Sequence, residues 1–221
     1  MSESVIRHTM ITALIMAVFT VAGTALLAAT FFNTREPIAQ SEAEARLELF
    51  RQILPPDTYD NALLTDTVAI AAGGALHNRV PTLAYRARMA GQPAGVILET
   101  VAPDGYSGDI KLLVAVKADG AIAGVRVLAH KETPGLGDYI DIAHDDWIKN
   151  FDGRTLDQPS EESWKVRKDG GDFDYMAGAT ITPRAVVKAV HGALKYVAAN
   201  RETLFAAPAQ AASGRLQGDK R

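Results

Sequence analysis

Hydrophobic residues are concentrated in one long run near the start of this 221-residue chain. Thr9 to Phe32 contains no charged residue and, as a helix rising about 1.5 Å per residue, is long enough to cross a hydrocarbon core of about 30 Å. A cleaved signal peptide is the alternative, but its apolar region is normally about 7–15 residues long. The pattern therefore favours a retained transmembrane anchor over residues 9–32.

Charges on either side of this run indicate its orientation. Arg7, His8 and the amino terminus precede it, and Arg35 follows it beside Glu36. The excess of positive charge on the amino-terminal side favours a cytoplasmic amino end. Residues 1–8 are then cytoplasmic, and the chain from Asn33 onward lies outside the cytoplasm.

The next segment, residues 33–56, has the pattern of a second, separate helix. Ser41 and Glu44 have the spacing of a capping box at its start, and Pro55 and Pro56 follow its end. One face is apolar, at Leu47, Phe50 and Leu54. We expect a stalk or packing helix here.

Short β-branched runs replace the helical pattern in residues 80–130. The breaks between them fall at Gln92-Pro93, at Pro103–Gly105 and at Asp119-Gly120, the last of which is a strong hairpin signal. These runs predict an antiparallel meander. Together with the helices on either side, they predict an α+β fold: an antiparallel sheet with flanking helices, preceded by one transmembrane helix.

A final helix is predicted from Pro183 onward. Its apolar stripe is made by Val186, Val187, Val190, Ala193, Leu194 and Val197. Thr182 followed by Pro183 resembles a threonine cap followed by proline in the first turn. We therefore expect the hydroxyl of Thr182 to cap this helix and the hydroxyl of Thr180 to be free. The small, polar segment 204–221 predicts a disordered tail.

The composition of the chain excludes several kinds of functional site. The chain has no cysteine, which excludes thiolate-held iron–sulfur clusters, disulfides and a cysteine nucleophile. Its formal net charge of -3 and lack of a basic patch give no reason to expect a nucleic-acid partner. The histidines have no metal-ligand spacing, so no metal site is predicted.

Three glycine-rich stretches are candidate ligand-binding segments: 102–110, 129–140 and 170–187. The first two are also consistent with ordinary turns, since glycine serves both purposes. The third leads into a helix amino terminus, where unpaired N–H groups and the helix dipole favour an anion such as phosphate. Its spacing matches neither a P-loop nor a dinucleotide fingerprint.

Several of these motifs resemble a known family. "DFDYMAGAT" resembles the flavin-attachment motif of the FMN-binding domain family. "PDGYSGDIKLLV", "HKETPGLGD", "WIKNF" and "VRKDGGDFD" are similar, in the same order, to the G subunits of Rnf electron-transport complexes. The related C subunits of the sodium-pumping NADH:quinone oxidoreductase share the attachment motif, but "DGYSGDI" with "ETPGLGD" is more similar to the Rnf subunits. The resemblance extends from the anchor to about residue 200.

The resemblance implies roles for individual residues. Thr180 matches the threonine that carries FMN through a phosphoester, and Asp174 matches the acidic residue expected to be recognised by the flavin transferase. Ala177 departs from the usual serine or threonine of the motif. The other matched positions are Gly178, Ala179, Tyr106, Ser107, Gly108, Glu132, Thr133, Pro134, Gly135, Leu136 and Gly137.

Taken together, the resemblance implies a redox subunit in a bacterial inner membrane. It would cross the membrane once, hold covalent FMN in a periplasmic domain over residues 57–203, and relay electrons between the subunits of an Rnf-type complex. Loading would need a flavin transferase with FAD and magnesium. The chain would then be part of a ferredoxin:NAD oxidoreductase rather than a stand-alone enzyme.

Two other functions are compatible with the same motifs. A membrane-tethered sensory or assembly module could bind flavin in this way, although such proteins usually carry more membrane spans or an iron–sulfur domain. A free-standing periplasmic reductase would need a substrate domain, for which few residues are left.

Overall fold

The computed structural model describes residues 2–206. The chain divides into two compact units, with the boundary between Arg46 and Leu47. The first helix, α1, runs from Ser2 to Ile53. It is long and apolar enough to cross a membrane by length and composition, with an 18-residue window of mean hydropathy 2.2.

Helix α1 is continuous, so the prediction of a separate helix beginning at Ser41 is wrong. Pro37 lies within α1. In an uninterrupted helix, the N–H groups that follow Ser41 donate to carbonyl oxygens of the preceding turn. A capping box at Ser41 would therefore have no unpaired N–H group to bind. The predicted end before Pro55 is confirmed, since α1 stops at Ile53.

The second unit is built on a five-stranded antiparallel sheet in the order β1-β2-β3-β4-β5. Its strands are β1 (Thr67–Ile70), β2 (Thr82–Met89), β3 (Gln92–Ala102), β4 (Ile110–Lys117) and β5 (Ile122–Ala129). The predicted meander and the hairpin at Asp119-Gly120 are confirmed. Strand β1 had no clear signal in the sequence.

One predicted break is displaced. Ala90 and Gly91, with φ angles of 49° and 77°, form the turn between β2 and β3. Gln92 and Pro93 instead begin β3, and the β2–β3 register shifts between Ala87 and Arg88, opposite Pro93. Proline has no N–H to donate to the ladder, so within a sheet it is confined to places such as the start of a strand or an irregularity in the register.

Both faces of the sheet are buried, which explains why the central strands lack a polar face. One face packs on α2 (Ile181–Ala199), on α3 (Arg201–Phe205) and on an aromatic cluster. The aromatic cluster consists of Tyr139, Trp147, Phe151, Trp164 and Phe173. Much of the predicted 204–221 tail lies outside the described residues, while Leu204 and Phe205 belong to α3.

The last turn of α1 and the residue after it cover the other face. Phe50, Ile53 and Leu54 are each 1% exposed and pack with Tyr85 and Ile97 of the sheet. A Cβ on Gly124 would lie 2.9 Å from the Cα atom of Ile53, so only glycine allows this close approach.

A buried arginine secures the same turn. The Arg126 guanidinium donates from Nη2 to the carbonyl oxygen of Gln52 at 3.0 Å and from Nε to the Gln52 side chain at 3.2 Å. A cation that binds a terminal carbonyl complements the negative end of the helix dipole. The end of α1 is therefore part of the folded second unit.

Truncating Ile53 tests this packing. Ile53→Ala should lower the free energy of unfolding by about 2–5 kcal/mol, because it removes a buried side chain and leaves a cavity. Ile38→Ala, the same change at a 54%-exposed position of α1, should change it by less than about 0.5 kcal/mol. Denaturant unfolding in detergent, followed by the fluorescence of Trp147 and Trp164, measures both. Equal effects would contradict the described packing.

Candidate functional site

Three loops meet around one cavity of about 300 Å³. They are the β3–β4 loop, the loop that follows β5, and the loop that leads into α2. The lining residues are Tyr106, Glu132, Thr133, Leu136, Gly137, Gly178, Ala179, Thr180, Ile181 and Thr182. Segments far apart in the sequence thus form one site.

The β3–β4 loop turns sharply before it reaches the cavity. A Cβ on Gly105 would lie 2.2 Å from the carbonyl oxygen of Gly108, and Gly108 itself has a φ of 114°. The Ser107 N–H donates to Glu132 Oε1 at 3.0 Å. This turn places Tyr106, which is 68% exposed, at the mouth of the cavity.

The loop after β5 is also a compact turn. The Thr133 carbonyl accepts hydrogen bonds from the N–H groups of Leu136 and Gly137, at 3.1 and 3.0 Å. Gly135 has a φ of 74°, a conformation that glycine adopts without strain. A Cβ on Gly137 would lie 2.9 Å from Thr182 Oγ1 and 3.0 Å from Glu132 Oε2, so this loop packs closely against the start of α2.

Glu132 is the buried polar centre of the site. It is 4% exposed, and its carboxylate accepts hydrogen bonds from the Ser107 N–H and from the hydroxyl of Thr182. Its own backbone N–H donates to Nδ1 of His130 at 3.1 Å. A buried charge needs such partners, because an unpaired one would be strongly destabilising. One carboxylate therefore links all three loops.

The predicted capping role of Thr182 is wrong. Helix α2 begins at Ile181, which places Thr180 at the N-cap position and Thr182 inside the first turn. The Thr182 hydroxyl donates to Glu132, 50 residues away in the chain, and Thr182 is 1% exposed. Pro183 also falls in the first turn, where its missing N–H is not needed for the helix.

Thr180 has a different environment. Its side chain makes no capping hydrogen bond, nor any other side-chain hydrogen bond to a residue within 2–206. It is 8% exposed and lines the cavity. The prediction that Thr180 carries the uncommitted hydroxyl therefore agrees with the structure. The Thr182 hydroxyl is engaged, as predicted, but its partner is the Glu132 carboxylate and not the helix backbone.

Two aromatic side chains hydrogen-bond to the backbone of the loop before Thr180. Trp147 Nε1 donates to the Asp174 carbonyl at 2.8 Å, and the Met176 N–H donates to the Tyr139 hydroxyl at 3.2 Å. Burial raises the pKa of Tyr139, so its hydroxyl stays protonated at neutral pH. The Asp174 carboxylate points elsewhere and pairs with Arg167 at 2.8 Å on the surface.

Most of the predicted site residues meet at this cavity. Those in its lining are Tyr106, Glu132, Thr133, Leu136, Gly137, Gly178, Ala179 and Thr180. Those outside the lining are Ser107, Gly108, Pro134, Gly135 and Asp174. Ser107 contributes its N–H to Glu132, and the glycines shape the turns, whereas Asp174 belongs to the neighbouring surface.

Sequence reasoning missed two lining residues and two supporting ones. Ile181 and Thr182 line the cavity, and Tyr139 and Trp147 support the loop before Thr180. The sequence did contain a signal for the two aromatic residues, since Trp147 lies within the motif "WIKNF" and Tyr139 directly follows "HKETPGLGD". Within residues 2–206, no cluster of three or more His, Asp or Glu is suited to hold a metal ion.

The lining suits a flat, largely apolar ligand with an anionic group. Leu136, Ala179 and Ile181 provide apolar wall, while the amino end of a 19-residue helix provides N–H groups and positive potential. The volume lies at the lower end of the range for small-molecule sites, about 300–1,000 Å³. The donor set and the wall chemistry therefore fit FMN.

Comparison with known proteins agrees with this chemistry. The FMN-binding domain family matches residues 105–195, and the RnfG N-terminal region matches residues 1–53. The G subunit of the ion-translocating oxidoreductase complex from Pseudomonas aeruginosa strain UCBPP-PA14 is 50% identical over 200 residues, which cover 90% of this chain and 93% of that protein. This chain belongs to the family of G subunits of ion-translocating oxidoreductase complexes.

Other G subunits are similar over the same extent. The proteins of that name from Vibrio atlanticus strain LGP32 and Pseudoalteromonas atlantica strain T6c are 46% and 42% identical. Each alignment covers 88% of this chain, and 93% and 90% of the two relatives. The whole lining of the cavity, from Tyr106 to Thr182, falls inside the matched FMN-binding domain.

Adding one methyl group at Gly137 tests the packing of this site. The backbone angles of Gly137, φ -97° and ψ -12°, are allowed for alanine, so the contacts alone determine the effect. Gly137→Ala should destabilise the domain by about 1–3 kcal/mol, the usual range for overpacking. Leu136→Ala, at a 47%-exposed neighbour, should cost less than about 0.5 kcal/mol. Equilibrium unfolding of both variants measures this; an unchanged Gly137→Ala protein would contradict the packing.

Proposed function

We propose that this chain is the membrane-anchored flavin subunit of an ion-translocating electron-transport complex, with FMN covalently attached to Thr180. The observation that carries the proposal is the position of Thr180. Its hydroxyl is uncommitted within the described residues, lines the cavity, and directly precedes a long helix.

The helix dipole at this position favours a phosphoester. A negative phosphate within the first turn of α2 lies at the positive end of the helix dipole, an arrangement worth about 0.3–1 kcal/mol. Arg184, the basic residue of that region, is paired with Asp169 at 2.7 Å. Helix N–H groups are therefore the main local stabilisation for the phosphate.

Attachment is a phosphoryl-type transfer from FAD, catalysed by a separate flavin transferase with magnesium. Oγ1 of Thr180 forms a bond to the FMN phosphorus, the phosphoanhydride bond of FAD breaks, and AMP leaves. The hydroxyl proton is released, and no electrons are transferred in this step. Asp174, an exposed residue of the loop before Thr180, is a candidate recognition residue for the transferase.

In the loaded protein, FMN supplies one- and two-electron transfer, and the chain supplies its binding and environment. Leu136, Ala179 and Ile181 offer apolar contact surface to the flavin. Tyr106 and Leu136, 68% and 47% exposed, form an open rim. An open rim leaves part of the site accessible to partner subunits, as an electron relay requires.

The proposed partners are the other subunits of the complex, because the relatives are named as subunits of an ion-translocating oxidoreductase complex. Helix α1 is the proposed membrane anchor, with residues 1–8 in the cytoplasm and residues 57–203 forming the FMN-binding domain on the periplasmic side. The charge distribution around residues 9–32 supports this orientation.

Replacing Thr180 tests the attachment. Thr180→Val keeps the branched shape and removes the hydroxyl, so the protein co-expressed with a flavin transferase should carry no flavin that survives denaturation. Thr133→Val, at another threonine of the cavity lining, should retain it. In-gel flavin fluorescence after denaturation measures both. Covalent flavin retained by Thr180→Val would contradict attachment at this residue.

The absence of native cysteine permits a clean test of orientation. Lys168→Cys introduces a thiol at an exposed position of the second unit, and Ser4→Cys introduces one ahead of the anchor. A maleimide that passes the outer but not the inner membrane should label the first in intact cells and the second only after lysis. The reverse pattern would overturn the periplasmic assignment.

A further inference from the structure

We propose that Glu132 is a positioning residue for flavin attachment: it holds the start of α2 against the β3–β4 loop and so presents Thr180 to the transferase. The proposal rests on attachment at Thr180 and assigns to Glu132 a task distinct from contact with the flavin. Its physical basis is the set of contacts around one buried carboxylate.

The first of these contacts fixes the helix. The hydroxyl of Thr182 donates its single proton to Glu132 Oε2, and Thr182 is 1% exposed. Thr182 lies in the first turn of α2, two residues after Thr180. Anchoring Thr182 therefore sets the direction in which the chain leaves the loop and enters the helix.

The second contact fixes the opposite side of the cavity. Glu132 Oε1 accepts the Ser107 N–H at 3.0 Å, next to Tyr106 at the cavity mouth. Because the two carboxylate oxygens bind different segments, neither contact can be lost without leaving a buried acceptor short of a partner. The carboxylate thus keeps the two walls of the cavity at a fixed separation.

Backbone at two glycines lies close to the two carboxylate oxygens of Glu132. A Cβ on Gly105 would lie 3.0 Å from Oε1, and a Cβ on Gly137 would lie 3.0 Å from Oε2. The backbone N–H of Glu132 is also engaged, by Nδ1 of His130. Both carboxylate oxygens and the backbone N–H of Glu132 thus have hydrogen-bond partners.

A further consequence concerns the choice between the two threonines. Attack on phosphorus requires a hydroxyl oxygen that can reach the donor, and Thr182 is buried with its hydroxyl bound to Glu132. Thr180 lies in the cavity wall with no side-chain hydrogen bond to any described residue. Glu132 keeps Thr182 engaged while it orders the turn that displays Thr180.

The test measures the initial rate of FMN transfer to the full-length protein by purified transferase with FAD and magnesium. Glu132→Gln and Thr182→Val should each slow transfer about tenfold, the change expected when one charge-assisted hydrogen bond is lost. Thr182→Ser retains the hydroxyl and should stay within about twofold of the parent rate. The double variant Glu132→Gln/Thr182→Val should be no slower than the slower single variant, since both changes break the same contact.

Two controls separate positioning from general effects. Ile53→Ala destabilises the domain from the opposite face of the sheet and should leave the rate unchanged at a temperature where it is folded. Glu162→Gln, at an exposed glutamate outside the cavity, should also leave it unchanged. Folding of every variant is checked by tryptophan fluorescence.

The outcomes distinguish this inference from the proposed function. Parent-like transfer to folded Glu132→Gln and Thr182→Val would overturn the positioning role while leaving attachment at Thr180 intact. A Thr182→Ser protein as slow as Thr182→Val would overturn it as well. If the parent protein itself acquires no FMN on Thr180, the proposed function fails.

Discussion

The buried carboxylate of Glu132 is the interaction on which the site depends. It joins the Ser107 backbone of the β3–β4 loop to the Thr182 hydroxyl in the first turn of α2. A charge at this depth is stable only when its oxygens are hydrogen-bonded. The two hydrogen bonds of Glu132 therefore connect the loop after β5 to the β3–β4 loop and to the start of α2. The close approach of Gly105 and Gly137 follows from the same arrangement.

The rest of the second unit provides a rigid base for these loops. The sheet is buried on both faces, by α2 and the aromatic cluster on one side and by the last turn of α1 on the other. Arg126 and Gly124 hold that turn against the sheet. Residues 47–53, the end of a helix with the composition of a membrane span, therefore belong to the folded unit that carries the cavity.

Local patterns in the sequence were sufficient for much of this structure. Hairpin signals such as Asp119-Gly120 predicted the meander, and the glycine-rich motifs predicted most of the cavity lining, because both depend on nearby residues. The role of Thr182 was not predictable in this way. Its partner Glu132 is 50 residues distant, and a capping position was the best local explanation for a threonine before proline.

The same distinction applies to helix boundaries. Ser41 and Glu44 have the spacing of a capping box, yet α1 passes through them without a break. Strand β1 is a four-residue edge strand paired to β2, too short for a clear local pattern. Asp66, just before it, pairs with Arg86 and with Arg88, the latter at 2.7 Å. Such long-range ion pairs have no signature in a local pattern.

The most direct measurement is the location of FMN on the native protein isolated from its own membrane. Trypsin should release the peptide from Asp169 to Arg184, which contains both threonines. Fragmentation of this peptide separates Thr180 from Thr182 at the bond before Ile181. We expect fragments ending at Thr180 to carry the mass of FMN less water and fragments beginning at Ile181 to lack it. FMN on the Ile181–Arg184 fragment, or on neither, would contradict attachment at Thr180.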